Sequence, residues 1–433
     1  MNYLDNIIFV IALAVGFGYF ITNVKKLKRN INLGIAVDRN DNPSVRWKNM
    51  AMIALGQSKM VKRPIAGILH IIVYVGFIII NIELLEIILD GILGTHRIFA
   101  SIGALYGFLI GSFEVLALLV LVAVTIFWLR RNVIRLKRFT NPELKGFPKN
   151  DGNYILYFEM VLMTLFLVMN ATDIHFQMNA SGNTISQFVA PLFSGLSENS
   201  LHLIERTAWW LHILGILVFL NYLYFSKHLH ILLAFPNTYF ADLNPLGQFD
   251  NLGAVTKEVK LMMDPNVDPY AAPAEGEVHT KFGASDVQDL NWVQLLNAYT
   301  CTECGRCTSA CPANQTGKKL SPRKIMMDTR DRLEEVGKNI DANKGVFVPD
   351  NKSLLNDYIT PEELWACTSC NACVEECPVS ISPLSIIMDM RRYLVMEQSA
   401  APMSLNAMMS NVENNGAPWQ YSQQDRLNWK NEM

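Results

Sequence analysis

The stretches CTECGRCTSACP, residues 301–312, and CTSCNACVEECP, residues 367–378, hold all eight cysteines of this 433-residue chain. Both read C-x2-C-x2-C-x3-C-P, with Cys301, Cys304, Cys307 and Cys311 in the first and Cys367, Cys370, Cys373 and Cys377 in the second. Thiolates are the soft ligands that iron–sulfur clusters require, and this spacing wraps three of them round one 4Fe–4S cube from a single turn of chain. In two-cluster domains the fourth cysteine of each run ligates the other cluster. The expected ligand sets are therefore Cys301, Cys304, Cys307 with Cys377, and Cys367, Cys370, Cys373 with Cys311. Zinc motifs lack the third close cysteine and the trailing proline, and an eight-thiol disulfide framework suits a small secreted domain.

The net charge of −2 averages two unlike halves. Up to about residue 235 the chain carries long apolar runs, and at roughly 20 residues per span five are long enough to cross a bilayer: 4–23, 65–88, 103–129, 153–171 and 206–226. The first lacks a basic start and a small-residue cleavage site, so it reads as a span rather than a cleaved signal. The segment 24–63 holds ten Lys and Arg and 130–152 holds seven, whereas 89–102 holds only Arg97 and 172–205 holds none. The positive-inside rule then puts the N-terminus outside and everything after Lys227 in the cytoplasm of a prokaryotic cell, the spans lying in its inner membrane. The expected fold is mainly α: a five-span transmembrane helix bundle followed by a cytoplasmic α-helical two-cluster ferredoxin domain. The expected divisions are a membrane domain at 1–231, a linker at 232–288 with Asp264-Pro265 and Ala272-Pro273, the cluster domain at 289–397 and a polar tail at 398–433, disordered by default or else a partner-docking arm.

Imidazoles within spans are costly unless paired or ligated. His212 and His230 are 18 residues apart, five helical turns, which on one continuous helix puts them on one face roughly 27 Å apart. Two histidines at opposite depths suit two stacked b haems, each taking one ligand from this helix. His70 matches His230 in depth and is the expected partner for an inner haem, with His228 the weaker alternative to His230. For an outer haem on His212 the second ligand is open among His96, His175 and His202, with His96 carried forward as the candidate. No C-x-x-C-H occurs, so any haem is non-covalent.

The stretch WWLHILGILVFLNYLYFSKHLHI, Trp209 to Ile231, resembles the last span of the haem b subunit of respiratory nitrate reductase. It is still more similar to the membrane cytochrome b of heterodisulfide reductase and of sulfite-reduction-linked complexes. KRPIAGILHIIVYVGF, Lys62 to Phe77, and THRIF, Thr95 to Phe99, fit the same group. The nitrate reductase subunit carries a second histidine ten residues after the first, where this chain has Ile80. The 55 residues between Cys311 and Cys367, with helical segments near Pro322–Gly337 and Pro361–Ala366, resemble the two-cluster domain of heterodisulfide reductase and of anaerobic glycerol-3-phosphate dehydrogenase. The adjacent Cys-Cys pair of that family's catalytic module is absent. These resemblances imply an electron-transfer subunit that links a cytoplasmic redox partner to the membrane quinone pool. The partner is a cysteine-rich catalytic subunit or an electron-transfer flavoprotein, and substrate chemistry lies on it. The rival class is a redox sensor that uses the clusters without quinone turnover.

Glu114 lies mid-span, and Glu83, Glu86 and Asp90 share one face at the outer end of the second span. They are the candidates for proton transfer to or from quinone, Glu114 first, with interfacial snorkelling the bland alternative for the trio. The basic run Lys318, Lys319, Arg323, Lys324 reads as a solvated face, or as a dock for an acidic partner. Neither a G-x-G-x-x-G after a strand nor a phosphate-binding loop is present, nothing resembles a hydrolytic triad, and no nucleic-acid partner is expected.

Overall fold

A computed structural model describes residues 3–179, 181–266, 281–420 and 422–432. The five apolar runs are helices α1 (Leu4–Ile31), α2 (Pro64–Leu93), α3 (Ala104–Asn132), α4 (Phe147–Thr172) and α5 (Glu198–Tyr222). Each is long and apolar enough to cross a membrane. In lipid only a helix satisfies every backbone polar group of such a run internally, and that requirement sets the fold of this half. Local signals set the ends. Pro64 opens α2, where its missing N–H is not needed. Gly94 closes it at φ 72°. The Ser197 hydroxyl accepts the Ser200 amide at the start of α5.

Helix α4 packs against α3 and α5, α2 against α3, and α1 bridges α2 and α5. The outward side of α1 exposes Ile7, Ile8, Ile11 and Val15, the surface expected of a lipid-facing helix. Its inner side buries Phe9 against Gly91, where a larger residue has no room.

One expectation fails here. His212 and His230 do not share a continuous helix. Beyond Tyr222 the chain tightens into a 3-10 turn, and Ser226 is extended at φ −114°, ψ 148°. A new helix, α6 (His230–Tyr239), starts at His230. Asp151 of α4 holds the break: it accepts the Tyr222 and Ser226 hydroxyls, each at 2.6 Å, and the Lys227 amide at 3.1 Å.

The segment expected as linker contains helix α7 (Gly253–Met263), and its Ala272-Pro273 portion lies outside the described residues. The C-terminal unit is built on α8 (Trp292–Thr300), α9 (Pro322–Ala342) and α10 (Pro383–Met396). Asn291 with Gln294 forms a capping box on α8, and Ser321 and Ser382 cap the other two. Leu295, Ala298, Ile325, Leu333, Val336, Ile386 and Ile387 form its core. Arg332 is fully buried there between Asp286 and Asp350. Among the described residues there is no strand, only two isolated bridges. The part of the tail around α11 (Met403–Asn415) is helical rather than disordered, and it exposes Met403, Met408, Met409 and Val412.

The C-terminal unit sits on the end of the bundle that carries the basic loops. Asn30 of α1 donates to the Tyr299 hydroxyl at 2.9 Å, and Lys26 pairs with Asp341 at 3.1 Å. Arg323 belongs to this junction and is not solvated. Its guanidinium is fully buried and reaches Glu143 and the Arg138 carbonyl, each at 2.7 Å. Lys319 and Lys324, from the same basic run, pair with Glu362 and Asp328.

Candidate redox site

The two cysteine motifs fold the same way. Each carries residues with left-handed backbone at matching places: Glu303 (φ 53°) and Gly305 (φ 72°) in the first, Ser369 (φ 56°) and Asn371 (φ 61°) in the second. Each then enters a short helical turn, Arg306–Ala310 or Ala372–Glu375. The turned backbone points successive sulfurs inward, and amides reach them: Ile381 N–H donates to Cys377 Sγ at 3.2 Å and Ser369 N–H to Cys367 Sγ at 3.4 Å.

One cavity is lined by Cys301, Cys304, Cys307 and Cys377, a second by Cys311, Cys367 and Cys370, and Cys373 borders both. None of the eight thiols is in a disulfide. Among the described residues no three His, Cys, Asp or Glu side chains converge closely enough for a single metal ion. The thiols surround spaces instead of a point, as a four-iron cube requires. Burial pushes the Cys301 and Cys373 thiols up to about 12. Without a cluster they stay protonated, so cluster binding is coupled to proton release.

His70 and His230 come together within the same end of the bundle, ring centres 6.4 Å apart and planes inclined at 42°. A metal–imidazole bond is about 2.0–2.1 Å, so two rings that face one ion have centres about 6 Å apart. His230 Nδ1 lies 3.0 Å from the Lys227 carbonyl, which only accepts, so Nδ1 carries the proton and Nε2 is bare. His70 Nδ1 is buried without a partner. With that spacing and a bare nitrogen on His230, these two imidazoles are the pair that would hold a b haem, which would supply a one-electron centre. His228 packs 5.4 Å from His230 and on Phe219, with its Nε2 3.7 Å from Glu159 of α4. Nothing in the spacing of Glu159 marks it, and sequence reading missed it.

The outer position does not fit. His212 is buried, its Nδ1 on the Leu162 carbonyl at 3.0 Å and its ring 6.2 Å from Phe166. No second imidazole faces it among the described residues. His96 lies instead on Asp173 at 3.1 Å, and His175 and His202 are exposed.

The carboxylates separate into two kinds. Glu114 is fully buried and fully engaged: it accepts Asn170 Nδ2 at 3.0 Å and the amides of Ile185 and Ser186 at 2.7 and 3.0 Å. It caps the turn at Ser186–Val189 and has no face left for a substrate. The trio at the far end of α2 is buried rather than snorkelling. Glu86 accepts Phe99 N–H and the Tyr106 hydroxyl, and Asp90 accepts the amides of Arg97 and Ile98. Glu83 keeps one oxygen without a partner. All three line a cavity of about 310 Å³ with Phe9, Trp209 and Trp210 on its walls. Arg97, the one cation of its loop, ties Asp173 at 2.8 Å and Asn170 at 2.8 Å beside it. Burial alone would raise the Asp173 carboxyl, but His96 and Arg97 hold it well below the usual range.

Residues 300–381 match the family described as a 4Fe-4S dicluster domain. Over 98% of its length the chain is 28% identical to a probable iron-sulfur-binding oxidoreductase FadF of Bacillus subtilis, of which it covers 61%. Over 92% it is 26% identical to an EtfAB:quinone oxidoreductase of Syntrophomonas wolfei, covering 55%. A quarter of the chain, 25%, is 33% identical to 52% of one subunit of the ferredoxin/F(420)H(2)-dependent CoB-CoM heterodisulfide reductase of Methanosarcina acetivorans. The chain thus spans little more than half the length of the first two relatives. No solved structure matches it. Five membrane-length helices are thus followed by a segment that matches a 4Fe-4S dicluster domain, and the relatives that align along most of the chain are named as oxidoreductases.

Proposed function

We propose that this chain is an electron-transfer subunit of a membrane-bound, quinone-linked oxidoreductase. It passes electrons between a cytoplasmic redox partner and the membrane quinone pool. In this reading Cys301, Cys304, Cys307 and Cys377 hold one 4Fe–4S cluster, and Cys367, Cys370, Cys373 and Cys311 the other. His70 and His230 hold a b haem, which supplies a one-electron centre within the membrane domain. The observation that carries the reading is the placement of the first thiol cavity at the end of the bundle where these two imidazoles face each other at 6.4 Å.

The chain's own groups have distinct tasks. The Lys227 carbonyl holds the proton on His230 Nδ1 and so keeps Nε2 available as a ligand. Met388 and Arg391 pack on the second cysteine loop through Ser369. Quinone reduction consumes protons with electrons, and Glu83, which lines the 310 Å³ cavity and keeps one buried oxygen unpartnered, is the group best placed to hold one. With no second imidazole at His212, one haem is proposed, and no role is assigned to another. The partner is an electron-transfer flavoprotein or a cysteine-rich subunit; the name of the Syntrophomonas relative favours the first. The test is a reduced-minus-oxidised spectrum of the purified chain with iron and haem determined. Two four-iron clusters and one b haem, re-oxidised by a quinone analogue, are expected. A chain that binds no haem, or whose haem stays reduced with quinone present, overturns the proposal.

A further inference from the structure

The two cysteine motifs are near copies in backbone, so the positions where their side chains differ report what each motif faces. Glu303 of the first corresponds to Ser369 of the second, and Arg306 to Ala372. Both departures are charged, both are buried, and both reach out of the iron–sulfur domain into the membrane domain.

Glu303 contacts Lys227 Nζ through one carboxylate oxygen and Arg330 at 2.9 Å through the other. Lys227 is the residue whose carbonyl bonds His230 Nδ1. Arg306 donates to the carbonyl of Lys59 at 3.0 Å and of Met60 at 3.4 Å, just before α2 begins and about ten residues before His70. The first motif therefore grips both segments that carry the facing imidazoles. A third tie comes from the residues preceding Cys377, which also lines the first cavity: Glu375 pairs with Lys62 at 2.6 Å and Glu376 with Arg63 at 3.0 Å. In the second motif Ser369 bonds only within its own domain, to Arg391 at 3.4 Å and Met388 at 3.9 Å, and Cys370 is exposed.

We propose that Glu303 and Arg306 are positioning residues that seat the first cysteine cavity on the His70–His230 pair, which leaves the second cavity, with exposed Cys370, as the one turned toward the redox partner. This deepens the electron-transfer reading above and rests on it. Glu303 and Arg306 make this seat from the first motif, and Glu375 and Glu376 of the second add to it beside Cys377, which lines the same first cavity.

The experiment uses the full chain in detergent and follows the electron paramagnetic resonance signal of each reduced cluster. In the parent protein one cluster signal should relax faster while the haem is ferric, and the other should not. Glu303→Gln removes a buried negative charge beside the first cavity. It should raise the midpoint of that same fast-relaxing signal by about tenfold in its reduction equilibrium, about 59 mV for one electron. Arg306→Ala should weaken the relaxation while iron content is kept, and Arg306→Lys should restore it in part. A Glu303→Gln shift that falls on the slowly relaxing signal, on both equally, or on neither overturns the proposal. A chain without haem refutes the function proposed above; the shift of one signal or none then still decides whether Glu303 belongs to a single cluster.

Discussion

Replacing Lys227 by Met tests whether the junction between the membrane and iron–sulfur domains is held by buried charge. Lys227 Nζ touches Glu303 and lies 3.8 Å from Asp151, and both carboxylates are 2% exposed. At an effective dielectric constant of about 20, unit charges that far apart attract by about 4 kcal/mol. Much of that offsets the cost of taking the ions out of water. What the substitution exposes is the imbalance left behind: two buried carboxylates lose their shared cation, and Glu303 keeps only Arg330. Removing one partner from a buried pair costs about 3–5 kcal/mol, and that is the destabilisation expected for Lys227→Met. The assay is denaturant unfolding in detergent, followed by loss of cluster absorbance. A double-mutant cycle with Glu303→Gln isolates the contact, because the second change removes one of the orphaned charges. The double variant should recover at least about 1 kcal/mol relative to the sum of the singles. Additivity within about 0.5 kcal/mol would refute the reasoning.

Four further outcomes are expected. His230→Ala should abolish the b-type absorption while both clusters remain, whereas His212→Ala should keep it, because no second imidazole faces His212; a haem count with iron determination distinguishes them. Glu83→Gln should slow quinone turnover with the haem spectrum intact. Glu114→Gln should instead lower thermal stability by about 1–3 kcal/mol, because its amide nitrogen must face a donor, either Asn170 Nδ2 on one side or the Ile185 and Ser186 amides on the other. Asp173 is held below its usual value of 3.8, so its contribution is full above that pH and disappears as pH falls through the depressed value. Asp173→Asn should therefore cost most stability near pH 6, and melting curves of the two proteins should start to approach each other below pH 3.8 and converge only as pH falls through the depressed value.

Much of this architecture is legible in the chain because it is written in local pattern. Cysteine spacing and the length of apolar runs need no knowledge of distant residues, and the nearness of His70 to His230 agrees with the similar depth read for them, although His230 lies beyond the break and not within the fifth span. What escaped depends on partners far away in sequence. The break at Ser226 is made by Asp151, 75 residues earlier, so a run that reads as one helix from Trp209 to Ile231 is divided. Arg323 sits in a run of cations that looks solvated, and only Glu143 and the Arg138 carbonyl, in the basic loop after α3, show that it is an internal tie. Glu114 looked like a proton carrier because a mid-span carboxylate is costly. Asn170 and two backbone amides remove that cost, and the unsatisfied oxygen lies on Glu83 instead. The absence of a histidine at Ile80 already weakened the outer haem, and the distance of His96 from His212 follows from its attachment to Asp173.

The most direct measurement mixes the fully reduced chain, reconstituted in lipid, with a quinone analogue and follows haem and cluster absorbance together. The haem band should decay first and the clusters should drain after it, both at rates that fall when His230 is replaced. Clusters that re-oxidise while the haem stays reduced, or a chain that quinone leaves fully reduced, would contradict a path running from the two thiol cavities through His70 and His230 into the membrane.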